Sequence, residues 1–507
     1  MKSQDTAFFG HPAGLSTLFF TEMWERFSYY GMRAILILFL TAPLAVGGLA
    51  LPVPQAGAIY GTYVASVYLM TMAGGWMADK ILGLRRAVFA GGVLIMLGHV
   101  SLAFRGTGTF YGGLLLVVLG TGLLKGNISA IVGQLYGPND VRRDAGFSLY
   151  YMGVNLGGML GPIFVGWFAQ KEWFRAKLAE WGMDPNMAWH FGFAAAAVGM
   201  FFGLVQYWFG QRRLPAQALE PAGAKTDLDR TRARRMLGLA AGIVLAITAL
   251  VYWMSRSGII TLTPTLISGS VDLLIFGGAT AFFVWLFKAS AWTPEERKRL
   301  VVVFVLFLGA TVFWSAFEQA GSTLNLFAQR NTNTTIVGWA YPPSWLQSVN
   351  SFFIVVFAPV VGAVWFRLGA RNPSSPAKFS LGLFLLAGAF SLMVIASVLA
   401  GNGGRVSPMW LIGCYFFQTI GELCLSPVGL SAMSKLAPAR VTGLMMGVWF
   451  LASAIGNKIA GRVGGLYESL SLPTLFGMNA LFVLGFAVLM ALLVKPIKRM
   501  LGEGVKA

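Results

Sequence analysis

The chain has 507 residues, 56% of them hydrophobic and only 11% charged, with a mean hydropathy of +0.69. A soluble protein of this length cannot bury that much apolar surface, so the composition selects an all-α polytopic membrane protein with the lipid bilayer as its solvent. The net charge of +19 is no argument for nucleic acid, because the Lys and Arg sit in short loops between apolar runs, as positive-inside topology requires.

The first apolar run, residues 15–40, is long enough to span a bilayer and follows a polar start, so it reads as a retained helix and not as a cleavable signal. It contains Glu22-Met23-Trp24-Glu25-Arg26-Phe27-Ser28-Tyr29-Tyr30-Gly31-Met32-Arg33. At about 100° per residue, Glu22, Glu25, Arg26, Tyr29, Tyr30 and Arg33 share one side of that helix over roughly 16 Å. A charge at the bilayer centre costs about 3 kcal/mol on insertion scales. The stripe must therefore face protein or a water-filled cavity.

Five more spans are expected at residues 58–78, 87–104, 110–126, 145–168 and 191–209. Two follow at 236–254 and 271–287, and six at 301–324, 346–366, 379–399, 409–433, 441–461 and 474–494, making fourteen. Loop cations concentrate on one side, from Lys2 through Lys80, Arg142, Arg213, Lys225, Arg299, Arg371 and Arg440 to Lys506, which places both termini in the cytoplasm. The inserted pair reads as a hairpin, since its turn carries only Arg256 and a single inserted helix would invert the second half. The expected organisation is a six-helix bundle in residues 1–210, a linker with the inserted hairpin in 211–298, and a second six-helix bundle in 299–507. Residues 212–235 are polar and read as the linker. Residues 171–187, with Phe174, Leu178 and Trp181 at helical spacing, read as a short amphipathic helix on the outer surface.

Two groups of six spans resemble the parallel halves of major facilitator transporters. The loop from Gly75 to Arg86 resembles the inner-loop motif of that superfamily, and Gly362 to Arg371, with Arg367 and Gly369, is a weaker echo of it in the second half.

Outside the first helix, Lys125, Glu318 and Glu422 also fall inside spans. Any one of these charges is accounted for by a buried ion pair between helices. Seven together are not, because buried pairs give little net stability and membrane ionisables tend to mark substrate or proton paths. Glu22, Glu25, Glu318 and Glu422 against Arg26, Arg33 and Lys125 leave one negative charge, so uptake of one proton neutralises the set and a zwitterionic solute leaves the sum unchanged. Lys458 and Arg462, far around their helix from Trp449, are expected to snorkel to the outer interface. Tyr68, Tyr150, Asn155, Trp314, Asn350, Ser426 and Trp449 interrupt apolar spans at the same depth. A lone membrane Tyr or Trp is more often an interface anchor, and a lone Asn an interhelical hydrogen bond.

There is no GxxxxGK[ST] phosphate loop, which disfavours ATP-driven transport. His11, His99 and His190 form no cluster, and Cys414 and Cys424 lie about 15 Å apart along one helix, too far to bond. No Ser/His/Asp constellation appears. The expectation is therefore a transporter and not an enzyme, with no metal and no cofactor, driven by an ion gradient. Carboxylates in a stripe suit protons.

At the motif level the chain resembles the proton-dependent oligopeptide transporter (PTR2) family of the major facilitator superfamily. Its ExxERFxYY pattern is matched from Glu22 to Tyr30, its aromatic pair followed by Asn-x-Gly from Tyr150 to Gly157, its FWxxFEQ pattern from Phe313 to Gln319, and its GELxxSPxG pattern from Gly421 to Gly429. The resemblance implies symport of di- and tripeptides with protons across the cytoplasmic membrane by a protein working as a monomer. Glu422 would receive the peptide amino terminus, with Arg33 and Lys125 facing its carboxylate. Tyr29, Tyr30, Tyr68, Asn155, Asn350 and Ser426 would bind backbone or termini, and Trp314 and Trp449 would shape side-chain pockets. Glu22, Glu25, Arg26 and Lys125, with Glu318, would couple the proton, and Arg33 with Glu318 would form an outer-gate ion pair. Animal relatives also use a histidine in the second helix. This chain has none there, so coupling would rest on carboxylates. The alternatives are a relative that moves another solute, such as nitrate or a small anion, and a receptor built on a transporter fold.

Overall fold

The structure, a computed structural model, describes residues 5–137, 139–224, 226–288, 292–401, 403–436, 438 and 441–501. Lys2, Lys225, Arg440 and Lys506, four of the loop cations used for topology, lie outside the described residues. The chain is mostly helical. In order it forms α1 (Ala13–Thr41), α2 (Val53–Met77), α3 (Leu84–Leu102), α4 (Thr107–Gln134), α5 (Arg143–Gln170), the short α6 (Glu172–Glu180) and α7 (Ala188–Gly210). Next come α8 (Asp227–Arg256), α9 (Pro264–Lys288), α10 (Pro294–Phe317), the short α11 (Thr323–Arg330), and a two-stranded hairpin of β1 (Thr335–Ile336) and β2 (Trp339–Ala340). The chain ends in α12 (Ser348–Leu368), α13 (Ser375–Ala400), α14 (Met409–Leu436), α15 (Thr442–Gly465) and α16 (Leu472–Leu501). Among the described residues, 10 helices are long and apolar enough to cross a membrane. At 29 residues α1 is long enough too, but it carries Glu22, Glu25, Arg26 and Arg33.

The chain divides into two compact units, one of Met1–Glu25, Leu69–Val154 and Ala197–Val271, the other of Arg26–Tyr68, Asn155–Ala196 and Asp272–Ala507. In the first unit α3 and α4 pack along their length. Its core gathers Leu15 and Leu18 of α1, Val88 and Ile95 of α3, Leu124, Ile128 and Ile131 of α4, and Met200, Leu204 and Tyr207 of α7. The described part of the linker is anchored to the rest of its unit. Lys80 Nζ donates to the Gly223 carbonyl at 2.6 Å, and the Gly223 N–H donates to the Asp79 carbonyl at 2.9 Å, so the linker lies along the inner-loop motif. Helix α8 then starts from a capping box, with Thr226 and Asp229 each bonding the other's backbone N–H.

In the second unit α13 packs against α14 and α16, and α10 against α15. The seventh span, expected as one helix, is broken. Helix α10 stops at Phe317, Glu318–Gly321 form a 3-10 turn, and α11 continues from Thr323. Gln319 ties the break down, donating to the Ser315 carbonyl at 3.1 Å and to Asn479 Oδ1 of α16 at 2.7 Å. Helices α2 and α15 cross through glycines. A Cβ on Gly461 would meet the Gly61 Cα at 2.5 Å and the Gly57 carbonyl at 2.6 Å, so only glycine permits this approach.

Two expectations are corrected here. Lys458 does not snorkel. It is 1% exposed and pairs with Asp272 of α9 at 3.3 Å, where Arg462 also pairs. The acid that holds Lys458 sits on α9, an element distant in sequence from α15, which is why helical position relative to Trp449 misled. The amphipathic helix ends at Glu180, with Phe174 and Leu178 buried but Trp181 61% exposed, because the chain turns at Gly182, where φ is +70°.

Candidate functional site

Within the second unit the later part of the α1 stripe, from Arg26 to Arg33, meets the break in α10. Arg33, 6% exposed, pairs with Glu318, 3% exposed. Its Nε donates to the Tyr60 hydroxyl of α2 at 2.5 Å, and its guanidinium lies 5.9 Å from the ring centres of both Tyr30 and Tyr60. The 3-10 turn turns Glu318 toward the guanidinium. Gly321 closes that turn because a Cβ there would strike the Tyr60 hydroxyl and come within 3.0 Å of Arg33 Nε. A buried guanidinium is tolerated only with a carboxylate and further acceptors around it. Tyr60 supplies the second acceptor. Its apolar surroundings in the sequence gave no sign of this role.

Two turns earlier on α1, the Arg26 guanidinium sits 5.3 Å from the Tyr29 ring, and Tyr29 packs edge-on against Tyr30. The Tyr29 hydroxyl is buried with no partner among the described residues. Tyr30 lies within electrostatic range of Arg26, Arg33, Glu318 and Glu422. Tyr30 therefore feels both acids and bases, drawn from α1, the α10 break and α14.

Glu422 projects from α14, 8% exposed, with its Oε2 buried and without a partner among the described residues. Asn350 of α12 lies beside it and donates to Thr419 Oγ1, one turn along α14, at 2.9 Å. Trp314 and Trp449 meet edge-on at 6.4 Å. The Trp449 ring lies over Gly429, two turns along α14 from Glu422, where a Cβ would strike it. The indole N–H of Trp314, one turn before Glu318, has no partner among the described residues. Tyr68 and Ser426 are half-buried, and Asn155 is 4% exposed. All belong to this unit. A buried acid with a spare oxygen, an unpaired indole N–H and an unpaired phenol are costly to leave empty-handed, and together they offer acceptors and donors to a small polar solute.

Glu22 and Glu25 of α1 and Lys125 of α4 belong to the first unit. The acids are buried, at 4% and 0% exposure, and Lys125 is half-buried. Each is engaged by a neighbouring group. Tyr150, also in that unit, lies 3.4 Å from Ser129 Oγ across α4 and α5. Among the described residues no group of three or more His, Cys, Asp or Glu is placed to hold a metal. The one ionisable residue of a span that sequence reasoning passed over is Asp272. Lying within the apolar run of α9, it was visible by the same rule that singled out Glu318.

Comparison with known proteins follows the same lines. The model of the PTR2 (POT) family matches residues 85–482. The peptide transporter YePEPT of Yersinia enterocolitica subsp. palearctica is 40% identical, over 98% of this chain and 96% of its own. A di-/tripeptide transporter of Lactococcus lactis subsp. cremoris is 37% identical over 99% of each chain. A crystal structure of a peptide transporter POT in complex with sulfate superposes with a TM-score of 0.89 at 38% identity, covering 99% of this chain and 98% of that one. A POT family transporter in complex with 5-aminolevulinic acid gives 0.88 at 34% identity, covering 98% and 99%. These relatives are membrane transporters and not enzymes. In sequence over most of its length, and in fold, the chain belongs to the POT family.

Proposed function

We propose that this protein is a proton-coupled symporter that imports di- and tripeptides across the cytoplasmic membrane by alternating access. The observation that carries the reading is Glu422, a buried carboxylate with an unpaired oxygen, in a unit that also holds the Arg33 guanidinium. A peptide presents one cation and one anion at a backbone spacing common to all side chains, which is the charge pattern these groups complement. The relatives named for peptides and the one solved with 5-aminolevulinic acid, a compound with an amine and a carboxylate, support the same class.

In this reading Glu422 takes the amino terminus, while Arg33 and Lys125 face the carboxylate. Tyr29, Tyr30, Tyr68, Asn155, Asn350 and Ser426 serve backbone or termini, and the Trp314–Trp449 pair walls a roomy apolar pocket that tolerates many side chains. Glu22, Glu25, Arg26, Lys125 and Glu318 couple the proton, with no metal or organic cofactor. Protonation weakens ion pairs made in one state only and so shifts which opening is favoured. The Arg33–Glu318 pair is the outer gate. Fourteen spans, in bundles of residues 1–210 and 299–507 with the hairpin and linker in 211–298, would rock about the central site in a monomer with both termini cytoplasmic.

The test is uptake of labelled dialanine into liposomes holding the purified protein, with and without an inward proton gradient. Gradient-driven accumulation supports the reading. Binding without uptake would make the protein a receptor, and uptake indifferent to the gradient would remove the proton.

A further inference from the structure

The inserted hairpin is held in an unequal way. Along α8 the described buried residues amount to Ala233 alone. Helix α9 buries Phe283, which packs at 4.8 Å and 4.7 Å against Phe304 and Phe307 of α10. Eleven residues earlier, about 16 Å along the helix, it buries Asp272, 8% exposed. Both oxygens of that carboxylate are used by α15, one by Lys458 at 3.3 Å and the other by Arg462.

Lys458 is the more consequential partner. It is 1% exposed, while the Arg462 side chain is 60% exposed. Its ammonium also donates to Thr62 Oγ1 of α2 at 2.5 Å. Thr62 follows Gly61, and Lys458 stands one turn before Gly461, so this bond spans the glycine crossing of α2 and α15 where backbones touch. A lysine buried to this degree requires a counter-charge. Asp272 supplies it from an element outside both six-helix groups.

We propose that Asp272 is a positioning residue for the closed outer end: by neutralising Lys458 it lets that ammonium reach Thr62, so that α9, α15 and α2 close as one latch. The proposal rests on the alternating-access reading. When α2 leaves α15 the Thr62 bond is lost, whereas the Asp272–Lys458 pair persists, and α9 travels with α15. The insert is then a counterion carrier for the moving surface and not a passive lipid-facing appendage.

The test uses the full-length protein in lipid nanodiscs, with Cys414→Ala and Cys424→Ala, and spin labels at cysteines replacing Gln55 before the crossing on α2 and Ser469 beyond it after α15. The wild-type background should show two label separations whose ratio responds to pH or to dialanine. Asp272→Asn should move that ratio toward the longer separation by about tenfold or more, the scale of losing a hydrogen bond to a charged group. Thr62→Val should do the same while leaving the acid and its two cations in place. Lys458→Met combined with Asp272→Asn should recover thermal stability lost in Asp272→Asn alone but not the short separation. If Asp272→Asn does not fold, Thr62→Val decides. A wild-type ratio in either decisive variant overturns the latch. A single unresponsive separation in the wild-type background overturns alternating access itself, which separates the two failures.

Discussion

Replacing Glu422 by Gln keeps the shape of the side chain and removes the charge. In the structure the carboxyl is 8% exposed, Asn350 lies beside it, and Oε2 has no partner among the described residues. The substituted amide can still lie against Asn350. What it loses is the charge-assisted bond to an incoming ammonium. Such bonds are worth about 1.5–3 kcal/mol, and burial puts this one toward the upper end, so dialanine affinity should fall by roughly 10- to 150-fold. Calorimetric titration with dialanine and with N-acetyl-dialanine reads the effect without confusing it with folding. The wild-type protein should prefer the free amine, and Glu422→Gln should lose most of that preference while binding the acetylated peptide much as before. An undiminished preference in the variant would refute the assignment of the amino terminus to Glu422.

Glu318→Gln should destabilise the closed outer end, because breaking a buried pair costs about 3–5 kcal/mol and the Arg33 charge would be left with neutral acceptors, the substituted amide oxygen and the Tyr60 hydroxyl. Labels at Gln55 and Ser469 should then report mainly the longer separation, and an unchanged distribution would count against the gate. Glu22→Gln should retain dialanine counterflow while losing accumulation driven by an inward proton gradient, and normal gradient-driven uptake would remove Glu22 from coupling. Gly461→Val places carbon within 2.6 Å of the Gly57 carbonyl. Overpacking of this kind costs about 1–3 kcal/mol, so the short label separation should be depleted even though every charge is intact.

Much of the helix inventory could be read in advance, because apolar length is a local property and lipid gives the backbone little alternative to a helix. The break at Glu318 could not. Nothing in Phe313-Trp314-Ser315-Ala316-Phe317-Glu318-Gln319 forbids a continuous helix, and the unwinding depends on distant partners, Asn479 for Gln319 and Arg33 for Glu318. Arg33 and Glu318 were paired in advance by resemblance. Tyr60, which completes the pair, was not singled out, since a tyrosine in a span is usually an anchor. The surroundings of Lys458 were misread for a related reason. Its counterion lies nearly two hundred residues away on α9, and position around one helix says nothing about charges carried by another. The β1–β2 hairpin was also missed. Its turn at Val337 and Gly338 has positive φ at both positions, conformations that a valine does not announce.

The short 3-10 turn between α10 and α11 has a mechanical consequence. Tighter turns have poorer hydrogen-bond geometry than an α-helix, so the segment after Gly321 can pivot without dragging the whole of α10. Arg33 grips the chain at that elbow, at the start of the weak turn and beyond the stiff rod. Releasing the grip would therefore bend the end of the helix in place and leave Trp314, one turn away on α10, where it is.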